Sequence, residues 1–293
     1  MDIIIGIFIQ GFLYAIMALG VYITYRILDF PDLTVDGSFP LGAAITAVML
    51  INGYNGWLCL LVALLGGAVA GLFTGLIHVK LGVRDLLSGI IMMTALYSVN
   101  YHIAGKSNVP LFNENTIFSS LQNASGLSVN AVTLLLAAVL ALLVKLILDW
   151  YLRTGSGFLL RCCGDNPSLI CQLGKDAGRV KIVGLVLANS LAALSGAVVC
   201  QQQRYFDITM GTGTIIIGLA AVIIGINALR RISFLKMTTK VIIGAVLYKA
   251  CVAGAIAAGL DPMNMRLITA VLFLLVLVIS SRMGKGGAAD VRT

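Results

Sequence analysis

Long apolar runs separated by short polar punctuation fill this chain, and their lengths predict helices that cross a bilayer. The first run covers residues 3–27. Others are expected at residues 57–80, 86–104, 129–151, 180–200, 214–229, 241–260 and 263–281. One run, residues 41–51, is too short to cross alone. Even a helix over residues 36–52 reaches only roughly 24 Å in a hydrocarbon core of roughly 30 Å. The run at 214–229 is also short, and Gly218 and Gly225 mark it. The pattern therefore predicts an all-α polytopic membrane protein of about nine transmembrane helices, with short or broken second and seventh spans. In the third span Gly67, Gly71 and Gly75 recur every four residues, a smooth face for close helix packing. The longest polar loop is expected at residues 105–128.

The short second span pulls its polar prelude, LDFPDLTVDGSFP (28–40), toward the membrane interior. Non-helical backbone is tolerated at that depth only where protein buries it or where it lines a cavity. Asp29, Asp32, Thr34 and Asp36 are thus candidate pathway residues, and Asp36 could equally cap the second helix. Asp32-Leu33-Thr34 is echoed by Asp207-Ile208-Thr209, which adds Asp207 and Thr209 to the set. Five spans separate the two copies, and an odd number turns the second upside down, as an inverted repeat requires. Lys249 falls in the middle of the eighth span. Unpaired, it would cost roughly 3 kcal/mol. Its expected partner is Asp29, Asp32 or Asp36, either as a fixed ion pair or as part of a conformational change, with a hydrated cavity as the alternative.

Residues 154–179, TGSGFLLRCCGDNPSLICQLGKDAGR, are too polar for the bilayer. They contain a punctuated short helix: Asn166 as N-cap, Pro167 at the first helical position and Gly174 as the stop. Leu169, Ile170 and Leu173 share one side of it. A brief helix with an apolar side suits a partner's groove better than its own lipid surface. Arg161, upstream, is expected to orient the loop by pairing with Asp165 or local carbonyls. The chain then reads as one permease-like domain, 1–293, with a first half (1–153), the loop (154–179) and a second half (180–293).

Composition agrees with the pattern. The chain is 59% hydrophobic and 11% charged, with mean hydropathy +1.01, which excludes a soluble domain. A net charge of +8 would suit nucleic acid, but the basic residues lie in short loops beside apolar spans, so no nucleic-acid partner is expected. With the 154–179 loop inside, 16 of the 20 basic residues fall on the cytoplasmic side and only Lys106, Arg204 and Arg266 fall outside. That split places the N-terminus outside and the C-terminus in the cytoplasm. The first apolar run is too long for a cleavable signal. The six cysteines have no metal-ligand spacing, and neither a metal nor a cofactor is expected. Glu114 is the sole glutamate, no Ser/His/Asp set is present and GxxxxGK[ST] is absent, so the chain is not expected to be an enzyme.

Thr154-Gly155, Leu160-Arg161, Gly164-Asp165-Asn166-Pro167 and Gly174, together with LDFPDLTVDGSFPLG at 28–42, resemble the permeases of ABC importers. The branch includes branched-chain amino acid and ribose permeases and a relative tied to aromatic amino acid uptake. Cys162-Cys163 stand where that loop usually has small residues. The resemblance implies that Arg161, Asn166, Pro167, Leu169, Ile170, Leu173 and Gly174 couple to a separate ATPase subunit. It also implies an extracellular substrate-binding protein, a second permease copy or a sister permease, and a prokaryotic cytoplasmic membrane. The cargo would be a small metabolite, with an amino acid the leading class. An ion-coupled secondary transporter is the alternative: inverted repeats, broken helices and Lys249 suit it, and the capped loop helix suits it poorly.

Overall fold

The structure is a computed structural model that describes residues 2–126, 128–230, 232, 234–257, 267, 269–271, 273–276 and 278. Helix α1 (Asp2–Tyr22) runs into one π turn (Ile23–Ile27), closed by the Leu28 N–H bonding to the Ile23 carbonyl at 2.9 Å. After an irregular segment come α2 (Val35–Ile51), α3 (Gly56–Lys80) and α4 (Asp85–Ala104). The second half of the chain contributes α9 (Ala177–Gln203), α10 (Thr214–Ala228) and α11 (Met237–Ala257). Between them lie α5 (Ile117–Ser125), α6 (Val129–Tyr151), α7 (Gly155–Asp165) and α8 (Pro167–Gln172), with strands β1 (Asn108–Pro110) and β2 (Tyr205–Asp207). Among the described residues, seven segments are long and apolar enough to cross a membrane, and α2 is a shorter apolar helix beside them. The chain is therefore a multi-pass, all-α membrane protein. Most of the expected ninth span and the basic tail lie outside the described residues.

Helix α9 is the most enclosed of the spans, and its small residues explain why. The glycines of α3 run antiparallel along it, Gly67 on Asn189, Gly71 on Leu185 and Gly75 on Ile182. A Cβ at Gly71 would stand 2.3 Å from the Leu185 carbonyl oxygen, so the close approach depends on its absence. The expected glycine face is thus a packing face. Helix α2 crosses α9 just as tightly. A Cβ at Gly42 would meet the Ala193 carbonyl oxygen at 1.8 Å, and one at Gly196 would meet that of Phe39 at 1.9 Å. Helix α1 lies antiparallel on the other side, with Gly20 over Ala188 and the Leu13 carbonyl accepting the Ser195 hydroxyl at 2.8 Å.

The bundle has two distinct ends. One carries α7 and α8. At the other, β1 pairs antiparallel with β2, Asn108 opposite Asp207 and Pro110 opposite Tyr205. The loop expected over residues 105–128 is thus partly ordered: it holds β1 and α5, whose Thr116 and Ser119 form a reciprocal capping box. Gln201 locks this end, accepting the Ile117 N–H at 3.0 Å and donating to the Gly56 carbonyl at 3.1 Å. Of the two expected short spans, α2 is short, with 17 residues, whereas α10, with 15, follows a 3-10 turn (Ile208–Gly211) in a 21-residue segment long enough to cross.

Candidate functional site: a capped loop helix and two broken spans

The polar loop folds as two helices. Thr154 starts α7 by accepting the Gly157 N–H at 3.4 Å. Helix α7 lies upstream of the short helix expected from Asn166 onward. Glycine lets α7 sit against the bundle: a Cβ at Gly164 would lie 1.8 Å from the Ile27 carbonyl oxygen. Burial pushes the Cys163 thiol up, with Lys181 pulling it the other way. The short helix α8 has the expected punctuation. The Asn166 side chain accepts the Ser168 N–H at 3.1 Å, Pro167 opens the helix and Gly174 follows at φ +69°. Leu169 and Leu173 are 41% and 54% exposed, but Ile170 is fully buried. Ile170 therefore does not belong to the outward face. It anchors α8, which packs on α7 and α9. Arg161 is exposed and, among the described residues, forms no ion pair with Asp165 or any other acid.

The segment before α2 reaches the middle of the bundle. Asp32 is 1% exposed, and Asn189, near the midpoint of α9, donates to its carboxylate at 2.7 Å. The Ser38 hydroxyl donates to the same Asn189 at 2.7 Å, and the Thr34 hydroxyl meets that of Thr74 at 3.0 Å. Asp32 also accepts the Thr34 N–H at 2.9 Å, closing an Asx turn. Asp207 repeats this turn, accepting the Thr209 N–H at 2.8 Å. The echo between the two triplets is thus a shared local fold. Burial works against the Asp207 carboxylate, but hydrogen bonds from Thr209 and Asn108 outweigh it and hold the group below the usual carboxylate range. Asp29 and Thr209 are exposed, and Asp29 takes a left-handed φ of +52°.

Asp36 joins the two broken spans. It does not cap α2; it caps α10. Its carboxylate accepts the Gly213 N–H at 2.9 Å, the Ile215 N–H at 2.8 Å and the Thr214 hydroxyl at 2.9 Å. Pro40, inside α2, removes the N–H that would bond the Asp36 carbonyl, and Gly211 packs into that place. Beside this junction lies a cleft of about 260 Å³, lined by Asp36 and Pro40 of the first half, Ile208 and Thr212 of the second, and Tyr97 and Asn100 of α4. Asn100 is fully buried, donates to the Gly37 carbonyl at 3.0 Å and, among the described residues, leaves its own amide oxygen unpaired.

The expected pairing of Lys249 with Asp29, Asp32 or Asp36 is not made. Lys249 stands 3.6 Å from the centre of the Tyr14 ring, a cation–π contact, while Asp32 and Asp36 are engaged elsewhere. Depth in the membrane suggests the pairing, but Asn189 holds Asp32 and the start of α10 holds Asp36. Asp149, not among the residues expected from sequence, is a further polar anchor. At the end of α6 it accepts Lys236 at 3.0 Å and the Thr238 hydroxyl at 2.6 Å, with Lys145 at 3.7 Å, and so ties α6 to the start of α11. An acid one residue before Trp150, in a span otherwise free of carboxylates, was the available signal. It borders a second cleft, of about 470 Å³, beside α7.

Comparison with known proteins completes the picture. The family model described as "Branched-chain amino acid transport system / permease component" matches residues 3–280. The tyrosine transport system permease protein of Clostridioides difficile (strain R20291) is 42% identical over 271 residues, 92% of this chain and 89% of its own. An uncharacterized protein of Rickettsia prowazekii (strain Madrid E), RP368, is 32% identical over 279 residues, 94% and 96% of the two chains. The galactofuranose transporter permease protein YtfT of Escherichia coli (strain K12) is 25% identical over 255 residues, 86% and 72%. No solved structure matches.

Proposed function

The chain belongs to the branched-chain amino acid transport permease family of ABC importers, and on that premise we propose that it imports an amino acid of the aromatic class. The observation that carries the cargo class is the 42% identity, over 92% of this chain, to a permease named for tyrosine transport. A separate ATPase subunit docks on the exposed side of α8, with Leu169 and Leu173 in its groove and Asn166, Pro167 and Gly174 holding the helix in shape. Arg161 sits upstream at the same surface. This end of the bundle faces the cytoplasm, so the N-terminus lies outside and the C-terminus inside a prokaryotic cytoplasmic membrane. A substrate-binding protein delivers the solute at the β1–β2 end, and a second copy or a sister permease completes the assembly.

The pathway, in this reading, passes the junction of α2 and α10. Asp36, Asp207 and Thr209 border it, while Asp32 and Thr34 set the packing of its wall against α9. Lys249 adjusts α11 against α1 and does not touch the solute. Support comes from the cleft at Asp36, where both halves of the repeat and α4 meet. The test is uptake of radiolabelled tyrosine, phenylalanine and ribose into proteoliposomes holding this chain, its ATPase and its binding protein. ATP-dependent tyrosine uptake is expected. Ribose uptake in its place would move the cargo to the sugar class, and uptake driven by an ion gradient without the ATPase would make the chain a secondary transporter.

A further inference from the structure

We propose that the cleft beside α7 binds a phosphate-bearing anion at the level of the lipid headgroups. Four basic residues from four places in the chain border it: Arg26 in the π turn, Arg153 just after α6, Arg161 in α7 and Lys236 just before α11. Two acids, Asp149 and Asp165, face them. Asp149 is already satisfied by Lys236, Lys145 and Thr238. Among the described residues, the three arginines have no carboxylate within ion-pair distance. Arg179, by contrast, lies 3.5 Å from Asp176. What marks the cleft is the convergence of three such arginines from separate parts of the chain.

Guanidinium groups present forked donors that match phosphate oxygens in pairs, so a cluster of three arginines selects phosphate over a spherical anion. The Tyr22 hydroxyl, another potential donor, lies in the field of Arg161 and Arg26. The depth of the cleft points to lipid as the source. Trp150 is 70% exposed at the end of α6 and Tyr151 follows it, the placing of an interfacial aromatic belt, and Arg153 is two residues further. Ile27, Leu152 and Met237 give the cleft an apolar wall, and about 470 Å³ is more than one phosphate needs. A phosphodiester with its glycerol fits the combination of charged mouth and apolar wall. A ligand held there would bridge α1, α6, α7 and α11 at the base of the polar loop. The site is independent of the cargo.

The test uses the purified full-length chain in nanodiscs of phosphatidylglycerol mixed with phosphatidylcholine, with retained lipid counted by native mass spectrometry after release into detergent. The wild type should retain phosphatidylglycerol preferentially. Arg26→Gln, Arg153→Gln and Arg161→Gln should each lower retention about fivefold, and Arg179→Gln should not. Arg153→Lys keeps the charge and tests whether the forked geometry matters; it should retain less than the wild type and more than Arg153→Gln. Inorganic phosphate and phosphatidylglycerol are then titrated separately into delipidated protein, with thermal midpoint as readout. Stabilisation by the lipid alone places the source in the membrane, and stabilisation by phosphate as well makes a free anion sufficient; both support the site. A wild type that retains both lipids equally and is stabilised by neither anion overturns it, whatever the variants do.

Discussion

Asn189 donates its amide to the carboxylate of Asp32 at 2.7 Å across 157 residues of sequence, with both side chains buried. The contact ties the irregular segment before α2 to the most enclosed helix. Removing either partner leaves a buried polar group unsatisfied. Asp32→Ala and Asn189→Ala should each destabilise the protein by about 1–3 kcal/mol. The double variant should lose less than the sum, since the contact can be lost only once. Reversible unfolding in mixed micelles measures all three, and strict additivity would separate the two residues.

Asp36 holds the first turn of α10. Asp36→Ala frees two backbone N–H groups and leaves the Thr214 hydroxyl only the Gly211 carbonyl, a loss of about 2 kcal/mol at a cap of this kind. Asp36→Asn keeps an acceptor and should fall between. Hydrogen exchange at Gly213–Ile215 should rise by more than tenfold in Asp36→Ala, with uptake reduced. Unchanged exchange would show that α10 does not depend on this carboxylate.

Lys249 should behave as a partner of Tyr14. Combining Lys249→Met with Tyr14→Leu should show a coupling of about 0.5–2 kcal/mol. Combining Lys249→Met with Asp29→Asn or Asp36→Asn should be additive within about 0.5 kcal/mol. Coupling to a carboxylate in place of the ring would restore the ion pair expected from sequence.

The exposed side of α8 gives the sharpest separation. Leu169→Asp and Leu173→Asp should leave the membrane spans intact and release the ATPase, at a cost of several kcal/mol in binding. Ile170→Asp should instead unfold the loop, because that side chain is fully buried. Asn166→Ala should cost about 1 kcal/mol of helix stability and weaken association only mildly. Cysteines at 169 and 173 should cross-link to the ATPase while one at 170 should not. Efficient cross-linking from 170 alone would place the docking face on the other side of the helix.

Hydropathy and punctuation locate the described spans, the short second helix, the α3 glycine face and the cap, proline and glycine of α8. These are local properties, set by neighbours within a few residues. What escaped was azimuth, the direction a group faces around its helix. Lys249 and Asp36 were judged by depth, and helix rotation sent one to Tyr14 and the other to α10. Ile170 shares a side with Leu169 on a short helix, yet the line between buried and exposed runs between them. Helix α7 carries four glycines or serines in its first three positions and last turn, which disguised it as loop. The three-residue strands are too brief to alternate visibly.

The capping of α10 by Asp36 also bears on how the chain is made. Asp36 precedes Gly213 by 177 residues, so its carboxylate is synthesised well before the N-terminus of α10. Without that carboxylate the first amides of α10 would stand bare at the start of an apolar helix. The first half thus serves as a receptor for the insertion of the second. A chain cut within the polar loop should regain a protease-resistant α10 when both pieces are co-expressed, and should fail to do so when the first piece carries Asp36→Ala.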